Sequence, residues 1–84
     1  MHLDQRTLED LLENLRKELP PVFTRSAVPR LLGGCIASGT LANCDCAKEG
    51  PDGSFRMGRK ICYRREPFLE WFGKQLSPAR RTER

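Results

Sequence analysis

Chain-breaking residues constrain this protein more tightly than any other feature of its sequence. Pro20-Pro21, Gly33-Gly34, Gly50-Pro51 and Gly58-Arg59 interrupt it at short intervals, and no long helix or strand survives such punctuation. The pieces between them are too short to be stable alone, so they must pack on one another. With 84 residues the chain has room for one small core and one domain.

The first piece, residues 4–18, reads as a helix capped by Asp4 or Thr7, with Leu8, Leu11, Leu12 and Leu15 on one stripe at helical spacing and Leu19 continuing it. The stripe suits docking on the domain or on a second copy. In the second piece Thr24 can cap a short helix reaching about Leu32, which Gly33-Gly34 stops. Pro29 is tolerated only in a first turn, which makes Ser26 the alternative cap. The third piece reads as a helix capped by Ser38, running to about Lys48 and ended by Gly50-Pro51. Helical spacing turns its Leu41 and Cys44 inward and its Gly39, Thr40, Asn43 and Lys48 outward.

Beyond Ser54 the period changes. Phe55 and Met57 alternate with Arg56, and Ile61 and Tyr63 alternate with Lys60, Cys62 and Arg64, the pattern of two half-buried strands. Gly58-Arg59 fits the two-residue type II′ turn of a hairpin, with Arg59 at its tip. Pro67 suits the first position of a last helix to about Leu76, whose Phe68, Leu69, Trp71, Phe72 and Leu76 are expected in the core. Two short helices joined by a glycine turn form a helix-turn-helix arrangement, and the hairpin follows it directly.

Charge separates the first helix from the rest. Residues 1–20 carry five acids and three bases, whereas residues 21–84 carry six acids and twelve bases, within a net charge of +4. A basic excess of this kind draws a protein to phosphate backbones or anionic membranes. The sequence has no apolar run near 18 residues and no signal-peptide pattern, so nucleic acid is the expected partner, no membrane contact is expected, and the expected location is the cytoplasm. No acid interrupts residues 54–65, where Arg56, Arg59, Lys60, Arg64 and Arg65 lie. The four cysteines are spaced Cys-x8-Cys-x-Cys-x15-Cys, which matches no common zinc pattern, so free thiols and no metal or other cofactor are expected. The single histidine is His2, and no nucleophile and base stand at useful spacing, so no catalytic residue and no enzymatic activity are expected.

Residues 22–76, about two-thirds of the chain, resemble the small excisionase and AlpA-like proteins of the MerR-type winged helix-turn-helix family. Thr24-Arg25, Leu32-Gly33-Gly34, the run Ser38-Gly39-Thr40-Leu41-Ala42-Asn43, Gly50-Pro51, the hairpin run Gly58-Arg59-Lys60-Ile61-Cys62-Tyr63-Arg64-Arg65 and Phe68-Leu69-Glu70-Trp71-Phe72 carry the likeness. It implies a mostly α fold with a small β-hairpin, a winged helix-turn-helix at residues 21–76 preceded by an extra N-terminal helix (1–20) and followed by a basic tail (77–84). It further implies that the helix opening at Ser38 and Gly39 enters a major groove of double-stranded DNA, with Thr40 and Asn43 reading bases and Lys48 on the backbone. Arg25, Arg56, Arg59, Lys60, Arg64 and Arg65 would contact phosphates or a minor groove. Pro29 and the leucine-rich first helix depart from the family pattern.

The expected function is therefore sequence-selective DNA binding, as an excisionase-like recombination directionality factor or a small transcriptional regulator. An integrase or other recombinase, or RNA polymerase, is the corresponding protein partner, with a homodimer or cooperative oligomer on DNA. Two alternatives stay open in the sequence: a protein-interaction module that uses the basic hairpin without DNA, and a cysteine-based metal- or redox-responsive regulator.

Overall fold

A computed structural model describes residues 4–77. Helix α1 (Gln5–Glu18) is followed by strand β1 (Val22–Thr24), a 3-10 turn (Arg25–Ala27) and helix α2 (Val28–Leu31). Helix α3 (Ser38–Cys46), strands β2 (Phe55–Met57) and β3 (Lys60–Arg64), and helix α4 (Arg65–Gln75) complete the order. The protein is thus mostly helical, with one three-stranded antiparallel sheet.

The sheet, not a bare hairpin, is the main departure from expectation. β1 pairs with β3, and β3 pairs with β2, which puts β3 in the centre. Three residues, Val22–Thr24, are too few to show alternation in the sequence, so their strand was invisible there. The central position changes what β3 buries. Cys62, expected on the solvent side, is buried because Thr24 and Phe55 flank it in register. Phe55 and Met57, expected to be half-buried, are both exposed, because β2 is an edge strand with its apolar side turned away from the helices.

The core is aromatic. Phe23 and Tyr63 face each other across β1 and β3, and Phe68 of α4 meets the Phe23 ring edge-on at 5.1 Å between centroids. Tyr63, Trp71 and Phe72 lie against Phe68 at 5.8, 5.8 and 5.9 Å. Val28, Leu32 and Leu41 close the core from α2 and α3. Phe68, Leu69, Trp71 and Phe72 are buried as expected, and Leu76 is partly buried against them. α4 begins at Arg65, two residues earlier than expected, which leaves Pro67 still within the first turn, where no helical donor is lost.

α1 uses its leucine stripe within the chain. Asp4 is its N-cap, accepting from the Thr7 N–H at 3.3 Å, and the helix stops at Leu19, ahead of Pro20. Leu12 and Leu8 rest against Gly73 of α4: a Cβ on Gly73 would stand 3.1 Å from Leu12 Cδ1. Arg16 Nε bonds Glu66 at 3.0 Å across the same contact, an exposed ion pair that contributes little.

The middle of the chain is held by two turns of one kind. Thr24, not Ser26, is the cap: its side chain accepts from the Ala27 N–H at 3.2 Å. α2 is one turn long with Pro29 near its start, and it ends where Gly34 N–H bonds Pro29 O and Gly33 N–H bonds Arg30 O. These crossed bonds need a left-handed residue after the helix, and Gly33 supplies it at φ 62°. α3 ends in the same way, with Glu49 N–H on Cys44 O at 2.8 Å and Lys48 N–H on Asp45 O at 3.1 Å. There the left-handed residue is Lys48, φ 62°, so α3 stops before reaching Gly50. A side chain in this conformation costs about 1–2 kcal/mol, part of which glycine returns through its freer unfolded state. Lys48→Gly is therefore expected to stabilise the fold by about 1 kcal/mol and to raise Tm by roughly 4–8 °C. A thermal melt reads this directly; a lower Tm would contradict it.

Candidate nucleic-acid interface

An open cleft of about 340 Å³ separates the start of α3 from the tip of the hairpin. Ser38, Gly39 and Ala42 form one wall, Arg59, Lys60 and Ile61 the other, and Thr24, Arg25 and Ser26 the base. None of these residues is acidic. Ser38 is not the cap it was expected to be. Ala37 holds that position without a side-chain bond, and Ser38 is the first helical residue, so among the described residues no side-chain cap meets the opening amides of α3. Gly39, Thr40 and Asn43 are exposed, Leu41 is fully buried and Cys44 faces the core, as the helical spacing indicated.

At the hairpin tip Gly58 has φ 64° and Arg59 has no positive φ, the type II′ pattern. Antiparallel pairs share a face, so Arg56 stands on the side of Ile61 and Tyr63, which is the cleft side. Lys60 borders the cleft, while its pairing with Met57 sends the side chain toward the other face of the ribbon. Across a tip two residues wide, both cations stay close to anything the hairpin enters.

Of the other expected contacts, Arg25 lines the cleft but is engaged within the chain, and Arg64, Arg65 and Lys48 stand apart from it. Arg25 is occupied: its Nη2 donates to Asp45 Oδ2 at 2.6 Å and its Nε to the Tyr63 hydroxyl at 3.1 Å. Arg64 lies on the opposite sheet face, folded over the loop so closely that a Cβ on Gly53 would be 2.6 Å from its Nη2. Arg65 reaches the other end of the domain, where its Nη1 donates to Leu19 O at 3.2 Å. Lys48 is exposed beyond the far end of α3. The tail residues 78–84 lie outside the described residues.

The sequence reading missed the group that holds α3 to the sheet. Tyr63 donates to Asp45 Oδ2 at 2.7 Å while Arg25 bonds both, so one carboxylate, one phenol and one guanidinium link α3, β3 and the 3-10 turn. The Arg25 guanidinium offsets the negative charge of Asp45. Its only signal in sequence was a lone acid between two cysteines. The bond to Tyr63 and, against the cost of burial, that to Asp45 hold the Arg25 guanidinium above its ordinary range. Burial first, opposed by Arg25 and aided by Asp45, pushes the Tyr63 hydroxyl from 10.0 up to about 12.

Because the folded value is raised, the neutral phenol stabilises the fold fully below pH 10.0, and that contribution is lost as pH rises from there to about 12. The chain has one tyrosine, so tyrosinate absorbance reports this group alone. Its midpoint is expected near 12 in the folded chain and near the ordinary value in urea; an ordinary midpoint in the intact fold would contradict the burial of the Tyr63 hydroxyl.

Cys35 and Cys46 are exposed, Cys44 is half-buried and Cys62 buried, all as free thiols. Among the described residues no three His, Cys, Asp or Glu side chains converge, and no helix is long and apolar enough to cross a membrane. No protein-family model, curated protein or solved structure matches the chain.

Proposed function

We propose that the protein is a winged helix-turn-helix protein that binds double-stranded DNA in the cytoplasm, with α3 in a major groove and the β2–β3 hairpin against the flanking backbone or minor groove. The observation that carries this reading is the cleft. Ser38, Gly39 and Ala42 of α3 and Arg59 and Lys60 of the hairpin tip border one opening whose lining contains no carboxylate, and Thr40 and Asn43 stand exposed on the same helix. A helix of this size fits the major groove, Thr and Asn side chains can bond base edges, and Gly39 lets the backbone come close to phosphate. The unfilled amides at the start of α3 add a positive dipole end on the same side.

The role is binding, without catalysis. Its uses would be recombination directionality in excision of an integrated element or control of transcription, with a recombinase or RNA polymerase as partner. A domain this small reads few base pairs, so pairing or cooperative filling of neighbouring sites would supply the remaining selectivity.

Amide spectra of the chain titrated with a mixed-sequence duplex test the placement. Shifts are expected at Gly39, Thr40, Asn43 and Arg59, with α1 silent. Shifts confined to α1, or to Val22 and Met57, would refute it.

A further inference from the structure

The large apolar side chains that stand exposed among the described residues, Val22, Phe55 and Met57, are 46%, 38% and 68% accessible. All three lie on one face of the sheet. The register fixes this: Val22 pairs with Arg64, Phe55 with Cys62 and Met57 with Lys60, and Lys60, Cys62 and Arg64 alternate along β3 on the side away from Tyr63. α4 covers the Tyr63 side through Phe68. Single exposed apolar residues are ordinary, but three on one sheet face, flanking two cations, offer a contact surface. The side chains that this register brings to the face include two cations and no carboxylate.

We propose that this outer sheet face docks a segment of a partner protein in which apolar side chains are flanked by carboxylates. Charge and side-chain type select that occupant. A second copy in isologous contact would set Lys60 and Arg64 against their own equivalents, which is repulsive. A single-stranded nucleic acid needs aromatic platforms, and of the three exposed residues only Phe55 can stack on a base. Aliphatic Val22 and unbranched Met57 instead suit aliphatic side chains, with Met57 able to adapt its shape. Lys60 and Arg64 would meet the flanking acids at the rim. The face lies opposite Ile61 but shares Lys60 with the cleft, so a bound duplex is expected to weaken the peptide contact without abolishing it; that last statement rests on the duplex reading, whereas the docking itself does not.

The test uses the full chain and a synthetic peptide of leucine, phenylalanine, aspartate and glutamate, with a control in which serine replaces the apolar residues. In titrations without DNA, shifts are expected at Val22, Phe55, Met57 and Arg64. The exposed double variant Phe55→Ser, Met57→Ser should weaken the peptide at least about tenfold, with its amide spectrum otherwise native. If the double variant does not fold, Met57→Ser alone serves, since Met57 is the most exposed of the three. The proposal is overturned by equal binding of the serine control, by shifts at Gly39 and Thr40 instead, by an oligothymidylate that displaces the peptide from this face, or by a free-chain dimer through it in sedimentation. Failure of the duplex reading would leave the peptide result standing.

Discussion

Replacing Phe68 by alanine is expected to remove about 3–5 kcal/mol of stability and leave much of the chain unfolded at room temperature. Phe68 is fully buried, and its ring touches aromatic partners from three elements: Phe23 of β1, Tyr63 of β3, and Trp71 and Phe72 of α4. Truncation opens a void that none of these rings can fill without leaving its other contacts. A domain of 84 residues commands only roughly 4–12 kcal/mol in total, at about 0.05–0.15 kcal/mol per residue. Losing the ring therefore removes a quarter or more of the margin. A urea melt followed through Trp71 fluorescence measures the effect, and a loss under about 1 kcal/mol would show that the aromatic cluster is not the centre of the fold. Leu8→Ala offers the contrast, because that side chain is only half-buried on α4.

Much of this architecture was legible from the residues. The four breakers fall between elements, the leucine stripe marks α1, and the aromatic face marks α4, since each signal is local and repeated over several turns. The type II′ turn at Gly58 was legible for the same reason: two residues determine it. What stayed hidden was whatever depended on a distant partner. Val22–Thr24 is a strand only because β3 lies beside it, and that pairing also reverses the expected exposure of Cys62. Ser38 looked like a cap, yet the helix starts one residue earlier than its hydroxyl would require. For the candidate site, the exposed positions of α3 followed from helical spacing alone, but the cations did not sort themselves. Nothing in the run of bases from Arg56 to Arg65 distinguishes Arg59, at the open tip, from Arg65, which bonds the end of α1, or Arg25 from a free guanidinium, because Asp45 is twenty residues away.

That sorting produces the second large effect, in affinity. Each phosphate neutralised releases counterions, so log affinity for duplex DNA should fall linearly with log salt, by about 0.9 per contact. Between about 50 and 200 mM salt even a modest set of contacts then costs orders of magnitude in affinity. Thr40→Ala and Asn43→Ala should leave the slope alone while each removes about 1–3 kcal/mol of discrimination between duplex sequences. Arg59 and Lys60 border the cleft, whereas Arg64 is folded over Gly53 and does not. The decisive measurement is a salt titration of duplex binding by the native chain, by Arg59→Ala with Lys60→Ala, and by Arg64→Ala. The account expects the double variant to flatten the slope by about two and Arg64→Ala to leave it unchanged. Equal slopes for the native chain and the double variant, or a flattening by Arg64→Ala as large as that of the double variant, would contradict it.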